Sequence, residues 1–314
     1  MQVKSYDEID PRDAYHLSSI SFGWTLTESE MRRIYRRDPR YPYGPPVYAV
    51  DRGVPLAQVV PMRFPVRLTT GVEDVGGLQG VCSLPAVWGR GYARRLMEHV
   101  HEMFREDGLR ISTLTTSRNI RGYPVYRGLG YVDVAPFYSG TRPVPKDQRP
   151  PAGLRIRTAR KDELPRIHEL YLQVTRDLLG WTERSPLELP AAHTTFPWFR
   201  GRYKVAVRGR RIVGYLRSRP DSGALMEEIC ALRGRDFRAI VGAMEAKARG
   251  RVATANWITC RRDVTRFRRL GYRIDLIGDT TMAVALTRDA NTSELPRLFG
   301  GTTGRFVQYP SDDF

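Results

Sequence analysis

The sequence predicts an α/β fold, with a mixed β-sheet and helices on both of its faces, made by two similar halves in tandem. Apolar strand-like segments alternate with amphipathic helical segments over antiparallel meanders. The same order of elements occurs twice, and a segment rich in proline and charge, GTRPVPKDQRPPAG at 140–153, separates the two occurrences. We therefore expect a first domain over 1–142, a linker over 143–153, a second domain over 154–287 and a C-terminal tail over 288–314.

The repetition is clearest in two pairs of segments. Two strands around an Arg-Gly turn are expected in VYAVDRGVPLAQVV (47–60) and again in YKVAVRGRRIVGYL (203–216). A helix end, a glycine, an aromatic residue and a strand follow in VYRGLGYVDV (125–134) and in RFRRLGYRID (266–275). Each match is short, but their shared order indicates a tandem duplication.

One helix of the first half is predicted from its apolar periodicity, over 91–107. Its apolar residues recur at helical spacing on one face: Tyr92, Leu96, Met97, Val100, Met103 and Phe104. His99 and His101 lie two positions apart, so they face different directions and cannot bind one metal ion together. We expect both histidines at solvated positions of the helix.

Length and composition restrict the function classes. The 314 residues suggest about two domains, and no apolar run reaches the roughly 20 residues that a membrane helix needs. The polar N-terminus is not a signal peptide, and Cys82, Cys230 and Cys260 show no CxxC spacing. Disulfides and a zinc cluster are therefore not expected, and a reducing cytoplasm fits best. The net charge of +17 suits a polyanionic partner, such as nucleic acid or a phosphorylated cofactor, but an arginine-rich composition alone explains it equally well.

A glycine loop follows a predicted strand of the first half. The strand LQGVCSL (78–84) ends at Pro85, and Trp88-Gly89-Arg90-Gly91-Tyr92-Ala93 leads into the helix. Free backbone N–H groups and the positive end of a helix make such a loop an anion site. The Gly-Lys-Ser/Thr of a P-loop is missing, and the position does not fit a dinucleotide-binding GxGxxG.

The loop resembles the acetyl-CoA signature of the GNAT superfamily of N-acyltransferases, Arg/Gln-x-x-Gly-x-Gly/Ala. Here the pattern is Trp88-x-x-Gly91-x-Ala93, with Trp88 as the departure from it. A second segment, NIRGYPVYRGLGY (119–131), matches the family's later Asn-x6-Tyr-x3-Gly-aromatic pattern.

The resemblance implies two tandem GNAT domains with acetyl-CoA as the acyl donor and no metal. Tyr126 is then the general acid for the departing CoA thiolate, and a neutral amine attacks the thioester directly in a ternary complex. Cys82 as a covalent nucleophile is disfavoured because no histidine is placed beside it. The residues expected to bind the donor are Cys82, Ser83, Leu84, Gly89, Arg90, Gly91, Tyr92, Ala93, Arg94 and Asn119.

The second half lacks both parts of this site. Asp236 and Phe237 stand where a pyrophosphate would bind, Cys260 replaces Asn119, and Phe267 replaces Tyr126. We therefore expect a degenerate second domain. An active first half resembles Eis-type acetyltransferases without their sterol-carrier-like domain, and it argues against mycothiol-synthase-like enzymes, whose second half is active. The Eis resemblance also suggests the carboxylate of Phe314 as a general base.

The acceptor is left open among an aminoglycoside, a polyamine, a small metabolite and a peptide lysine. Four acidic residues could hold a cationic amine, although the sequence favours a solvated surface charge for each: Glu28, Glu30, Glu73 and Asp74. A homo-oligomer is expected only by analogy with Eis-type proteins, and no motif supports nucleic-acid binding. The alternative function is a non-catalytic protein on the same fold, which senses acyl-CoA or associates with nucleic acid.

Overall fold

The computed structural model describes residues 1–24, 27–186, 202–218 and 224–310. Within them lie the strands β1 (Gln2–Ser5), β2 (Val47–Asp51), β3 (Val54–Leu68), β4 (Gly71–Ser83), β5 (Ile111–Ser117), β6 (Val132–Pro143), β7 (Arg155–Thr158), β8 (Tyr203–Arg208), β9 (Arg211–Ser218), β10 (Leu225–Ala231), β11 (Val252–Ile258) and β12 (Arg273–Ala285). The helices are α1 (Pro11–Phe22), α2 (Glu28–Arg37), α3 (Tyr92–Glu106), α4 (Gly122–Gly128), α5 (Leu164–Thr175), α6 (Gly234–Glu245), α7 (Arg261–Arg269) and α8 (Leu295–Leu298).

All of these strands form one mixed sheet, in the order β1-β2-β3-β4-β5-β12-β6-β11-β10-β9-β8-β7. The pairs β4–β5 and β10–β11 are parallel, and the other neighbours are antiparallel. Helices cover both faces, because Tyr48 packs with α1 while the next residue, Ala49, packs with α3. The mixed α/β class predicted from the sequence is confirmed.

The last strand of each half lies in the other half of the sheet. β12 pairs with β5 of the first half along seven residues, Ile111–Ser117, while β6 pairs with β11 of the second half. Read from either end, the strand order is therefore the same: five strands of one half, then the last strand of the other. Of the linker expected over 143–153, Pro143 is the last residue of β6, and 144–153 contain neither helix nor strand. The tandem domain boundaries stay a prediction.

The helix α3 packs its apolar face on the sheet, as its periodicity predicts. Leu96, Met97, Val100 and Phe104 are fully buried. A Cβ built on Gly76 of β4 would overlap the ring of Phe104, so the helix lies directly on the strand backbone.

The expected solvent exposure of His101 is wrong. Its side chain is only 5% exposed, and its Nε2 lies 2.8 Å from the hydroxyl of Tyr131. The hydroxyl of Tyr131 replaces the hydrogen bond to water that the buried imidazole loses. The periodicity of the helix alone does not indicate such a partner.

A bulge separates the end of β4 from β5. Gly80, with φ +60°, lies where the register of β4 against β3 shifts between Gln79 and Cys82. β4 pairs with β5 only at Gly76 and Gly77, so the rest of β4 runs on without a partner on that side. The sheet is therefore open between the carboxyl ends of these two parallel strands.

None of the helices in the described part of the chain combines the length and the apolarity needed to cross a membrane.

Candidate active site

The opening between β4 and β5 brings the two sequence motifs together. The glycine loop leaves the end of β4, and the segment that carries Asn119 and Tyr126 leaves the end of β5. Because parallel neighbours end at the same edge of a sheet, both segments border one opening.

The glycine loop presents free backbone donors. Gly89 and Gly91 have φ of +78° and +79°, a left-handed conformation that favours glycine. The first N–H groups of α3, those of Tyr92, Ala93 and Arg94, have no acceptor within the helix. These donors and the positive end of the helix form an anion-binding surface.

Arginines border the same loop. Arg90 is exposed, and the guanidinium of Arg95 donates to its backbone carbonyl at 3.0 Å. Arg94 pairs with Glu98 at 3.0 Å on the exposed side of α3. The hydroxyl of Tyr92 donates to Asp51 at 2.8 Å, which ties the start of α3 to the end of β2.

The backbone at the end of β4 faces alternately toward β3 and toward the opening. The N–H of Leu84 donates to Leu56 of β3 at 2.9 Å, and Cys82 is paired with Gln58 of that strand. Ser83 lies between them, so its N–H and C=O face the opening. Of the three residues expected to pair with a pantetheine arm, Ser83 is the one whose backbone groups point the right way.

The thiol of Cys82 lies on the side of the sheet away from α3. It packs beside the α1 cluster that contains Leu17 and Tyr48. Burial raises the pKa of Cys82 to about 11, so the thiol stays protonated at neutral pH. The side chain is a packing residue rather than an activated nucleophile.

Tyr126 of α4 is 6% exposed and lies in the cluster formed by α3 and the sheet. Its ring meets that of Tyr131 edge to face, with 6.3 Å between the centroids. Burial, with a smaller contribution from Cys82, raises the pKa of Tyr126 to about 12. The phenol therefore keeps its proton throughout the physiological pH range.

Asn119 is exposed at the end of β5, beside a backbone bend in β12. A Cβ built on Gly278 would lie 2.8 Å from the side-chain nitrogen of Asn119, and the Gly278 carbonyl accepts from the N–H of Arg118 at 3.0 Å. The exchanged strand β12 thus supports this side of the opening.

Trp88 lies across the mouth of the opening. Its side chain is 49% exposed, and its indole Nε1 donates to the carbonyl of Ser83 at 3.0 Å. The guanidinium carbon of Arg121 lies 4.7 Å from the centre of the Trp88 ring. Trp88 belongs to the loop after β4 and Arg121 to the loop after β5, so this cation–π contact bridges the two edges.

The corresponding opening in the second half contains protein side chains. β10 pairs with β11 only at Leu225 and Met226, just as β4 pairs with β5 at only two of its residues. Phe267 meets Phe237 edge to face at 5.3 Å. Around them lies a small cavity lined in part by the buried Glu228 and by Val307 and Tyr309 of the C-terminal segment.

The residues that replace the donor site in the second half are also buried. The carboxylate of Asp236, near the start of α6, accepts a hydrogen bond from the Arg208 guanidinium at 3.1 Å. Cys260 is the N-cap residue of α7, and only 1% of its surface is exposed. Glu228 pairs with Arg184 at 3.0 Å. Asp236 and Glu228 are thus each paired with an arginine of the same half.

The acidic residues considered for the acceptor are occupied. Glu28 pairs with Arg32 at 2.9 Å. The carboxylate of Glu30 accepts a hydrogen bond from the backbone N–H of Thr27, the N-cap residue of α2, at 3.0 Å. Glu73 pairs with Arg110 at 2.8 Å and Asp74 with Arg63 at 2.7 Å. Phe314, expected as a base, lies outside the described residues. In the part of the chain that the structure describes, no three His, Cys, Asp or Glu side chains are placed to hold a metal ion.

Sequence reasoning missed two features of the opening. Gly80 inside the apolar run of β4 is a signal for a bulge, because glycine in a strand interior often marks one. The contact between Trp88 and Arg121 leaves no signal in the sequence, since it joins two loops that follow different strands.

Comparison with known proteins finds one family model that matches the chain. Residues 2–133 match the model of the acetyltransferase (GNAT) domain. The matched range is less than half of the chain. This range, which includes both the glycine loop and Tyr126, is similar to a GNAT acetyltransferase domain. No curated protein sequence is significantly similar to the chain.

Solved structures show the same fold over most of the chain. A GCN5-related N-acetyltransferase from Kribbella flavida is 17% identical with a TM-score of 0.67, covering 94% of this chain and 73% of its own. Eis1 from Mycobacterium abscessus is 14% identical with a TM-score of 0.57, covering 91% and 73%. Saccharomyces cerevisiae N-myristoyltransferase, solved with bound myristoyl-CoA, is 9% identical with a TM-score of 0.58, covering 90% and 82%.

Proposed function

We propose that this protein is an N-acetyltransferase that transfers the acetyl group of acetyl-CoA to an amine, with its active site in the first half of the chain. The observation that carries the proposal is the opening between β4 and β5, because the glycine loop follows β4 and the segment with the protonated phenol of Tyr126 follows β5. The second half keeps the opening, but Phe237, Phe267 and the buried Glu228 line the cavity there. We therefore assign it a supporting role, as the degenerate member of a tandem pair.

The residues of the opening suit an acyl-CoA donor. The N–H groups of Gly89, Gly91 and the first turn of α3 can bind the pyrophosphate. The backbone of Ser83 faces the opening, where an extended pantetheine arm can pair with it as a further strand would. Asn119 borders the same opening on the β5 side.

The transfer needs an activated carbonyl and a proton for the leaving group. The N–H of Ser83 can polarise the thioester carbonyl. The amine nitrogen forms a bond to the acyl carbon, the carbon–sulfur bond breaks, and the thiolate takes the proton of the Tyr126 hydroxyl. The amine releases a proton to a base, and Tyr126 is reprotonated from solvent.

The test is acetyl-CoA-dependent release of CoA with polyamines, aminoglycosides and lysine peptides as acceptors. We expect Tyr126→Phe to lower kcat by about 100-fold, the usual range for loss of a general acid. Tyr123→Phe is the matched control: it lies on the same helix, and its hydroxyl bonds Asp133 at 3.0 Å near the surface. That variant should keep the wild-type rate.

The same assay separates the enzyme from a non-catalytic acyl-CoA sensor. CoA binding without turnover of any acceptor, and an unchanged Tyr126→Phe variant, would contradict the proposed activity and favour the sensor.

A further inference from the structure

The glycine loop lacks a cationic side chain at its first position. The resembling signature has Arg or Gln there, whereas this chain has Trp88. Backbone N–H groups alone bind phosphate, but a guanidinium adds charge-assisted hydrogen bonds of about twice the strength of neutral ones.

Arg121 places a guanidinium at that position from the other side of the opening. Its guanidinium carbon lies over the Trp88 ring at 4.7 Å, and Trp88 is next in sequence to Gly89 of the loop. Trp88 is itself fixed, because its indole donates to Ser83 at 3.0 Å. The flat ring therefore holds the guanidinium over the residue that begins the loop.

We propose that Arg121 is a donor-binding residue that contacts the pyrophosphate of acetyl-CoA and replaces the cation missing from the first position of the glycine loop, with Trp88 as its positioning residue. This inference rests on the proposed function. Stacking on an indole leaves the edge of a guanidinium free to donate, so Arg121 can keep its contact with Trp88 while it binds phosphate oxygens.

The neighbouring arginines do not occupy the same place. Arg94 is turned away to Glu98, and Arg95 lies over the ring of Tyr92 at 5.2 Å. Arg118 donates to Asp133 at 3.2 Å. Among these side chains, Arg121 is the one held against the residue that begins the loop.

The experiment measures binding of CoA, 3′-dephospho-CoA and pantetheine by calorimetry to the full chain. We expect Arg121→Ala to weaken CoA and dephospho-CoA alike by about tenfold, the loss of one charge-assisted contact partly exposed to water. Pantetheine has no pyrophosphate, so its binding should not change. In the acetyl-transfer assay, KM for acetyl-CoA should rise by a similar factor while kcat stays constant.

Two further variants test the role of Trp88. Trp88→Phe keeps a ring face for Arg121 and should weaken CoA less than Trp88→Leu, which removes it. In an Arg121→Ala background the two Trp88 variants should bind CoA equally. Arg238→Ala, an exposed arginine of α6 in the second half, controls for the lost charge and should bind CoA as the wild type does.

Each failure has a distinct signature. Equal CoA affinity of the Arg121→Ala and Arg238→Ala variants would overturn the role of Arg121 while leaving the proposed function intact. Weakened CoA with unchanged dephospho-CoA would overturn the pyrophosphate assignment, since the contact would then be to the 3′-phosphate. A wild-type chain that binds no CoA would contradict the proposed function itself.

Discussion

Two buried titratable side chains, Tyr126 and His101, lie on either side of Tyr131. The hydroxyl of Tyr131 lies 2.8 Å from His101 Nε2 and 2.7 Å from Ser112. Burial lowers the pKa of His101 to about 4 and raises the pKa of Tyr126 to about 12, so both groups are neutral at pH 7. The protonated phenol is the form of Tyr126 that can act as a general acid.

The neutral state of His101 makes stability depend on pH. A free histidine has a pKa near 6.5, so below that value the unfolded chain binds a proton that the folded chain refuses. The contribution of the neutral His101 to the free energy of unfolding is therefore complete above about pH 6.5 and declines toward pH 4. We expect acidification from about pH 7.5 to about pH 5 to lower the free energy of unfolding by about 2 kcal/mol through this residue.

Urea unfolding of the wild type and of His101→Gln at these two pH values measures that contribution. Glutamine keeps a hydrogen-bonding group near Tyr131 but does not titrate, so the variant should lose less stability on acidification. Equal pH dependence of the two proteins would show that His101 accepts its proton equally in both states.

At the scale of elements, α3 determines where the glycine loop stands. The helix lies against the backbone of β4 because Gly76 has no side chain, and the ring of Phe104 takes the space. Its start is tied to β2 through Tyr92 and Asp51. The free N–H groups of the loop are thus held at a fixed place relative to the bulge at Gly80.

We expect Gly76→Ala to destabilise the protein by about 2 kcal/mol, the usual cost of overfilling a packed contact. In a Phe104→Leu background the same change should cost less, because the smaller side chain leaves room. Urea unfolding of the two single variants and the double variant measures the coupling. Gly234→Ala is the control, since a Cβ there meets no atom within 4 Å. If the effects of Gly76→Ala and Phe104→Leu on the free energy of unfolding were additive, a direct contact between residues 76 and 104 would be contradicted.

Sequence patterns predicted the elements around the opening wherever a single local rule, such as helical periodicity or motif spacing, determines the structure. Helical spacing identified the buried face of α3. The motif of Asn119 and Tyr126 predicted one site with the glycine loop, and their segment follows β5, the parallel neighbour of the strand that precedes the loop. The bridge between Trp88 and Arg121 could not be predicted, because side-chain contacts between two loops depend on how far the strands below them separate.

For the whole molecule, the exchange of β6 and β12 joins the two halves into one sheet. The two strands follow similar sequences, VYRGLGY and RFRRLGY, and each is preceded by a similar backbone contact: Tyr131 donates to Tyr126, and Tyr272 to Phe267, both at 3.1 Å. Either strand therefore suits either half by local criteria. This is why the repeat predicted the elements but not which half each last strand would join.

The exchange predicts that neither half folds alone. A fragment of residues 1–150 would leave β5 without β12 and β6 without both of its neighbours, which exposes unpaired strand edges. We expect this fragment to be insoluble or unfolded by circular dichroism, and co-expression with residues 151–314 to restore a soluble complex. A folded, CoA-binding 1–150 fragment would contradict the prediction.

The position of β12 also has a genetic consequence. The residues proposed to act on the substrates all precede residue 132, yet β5 depends on a strand that ends at Ala285. A nonsense or frameshift mutation upstream of the codon for Ala285 would therefore abolish transfer even though every residue proposed for the reaction is still encoded. The second half of the gene is thus under selection through the strand that it supplies to the first half.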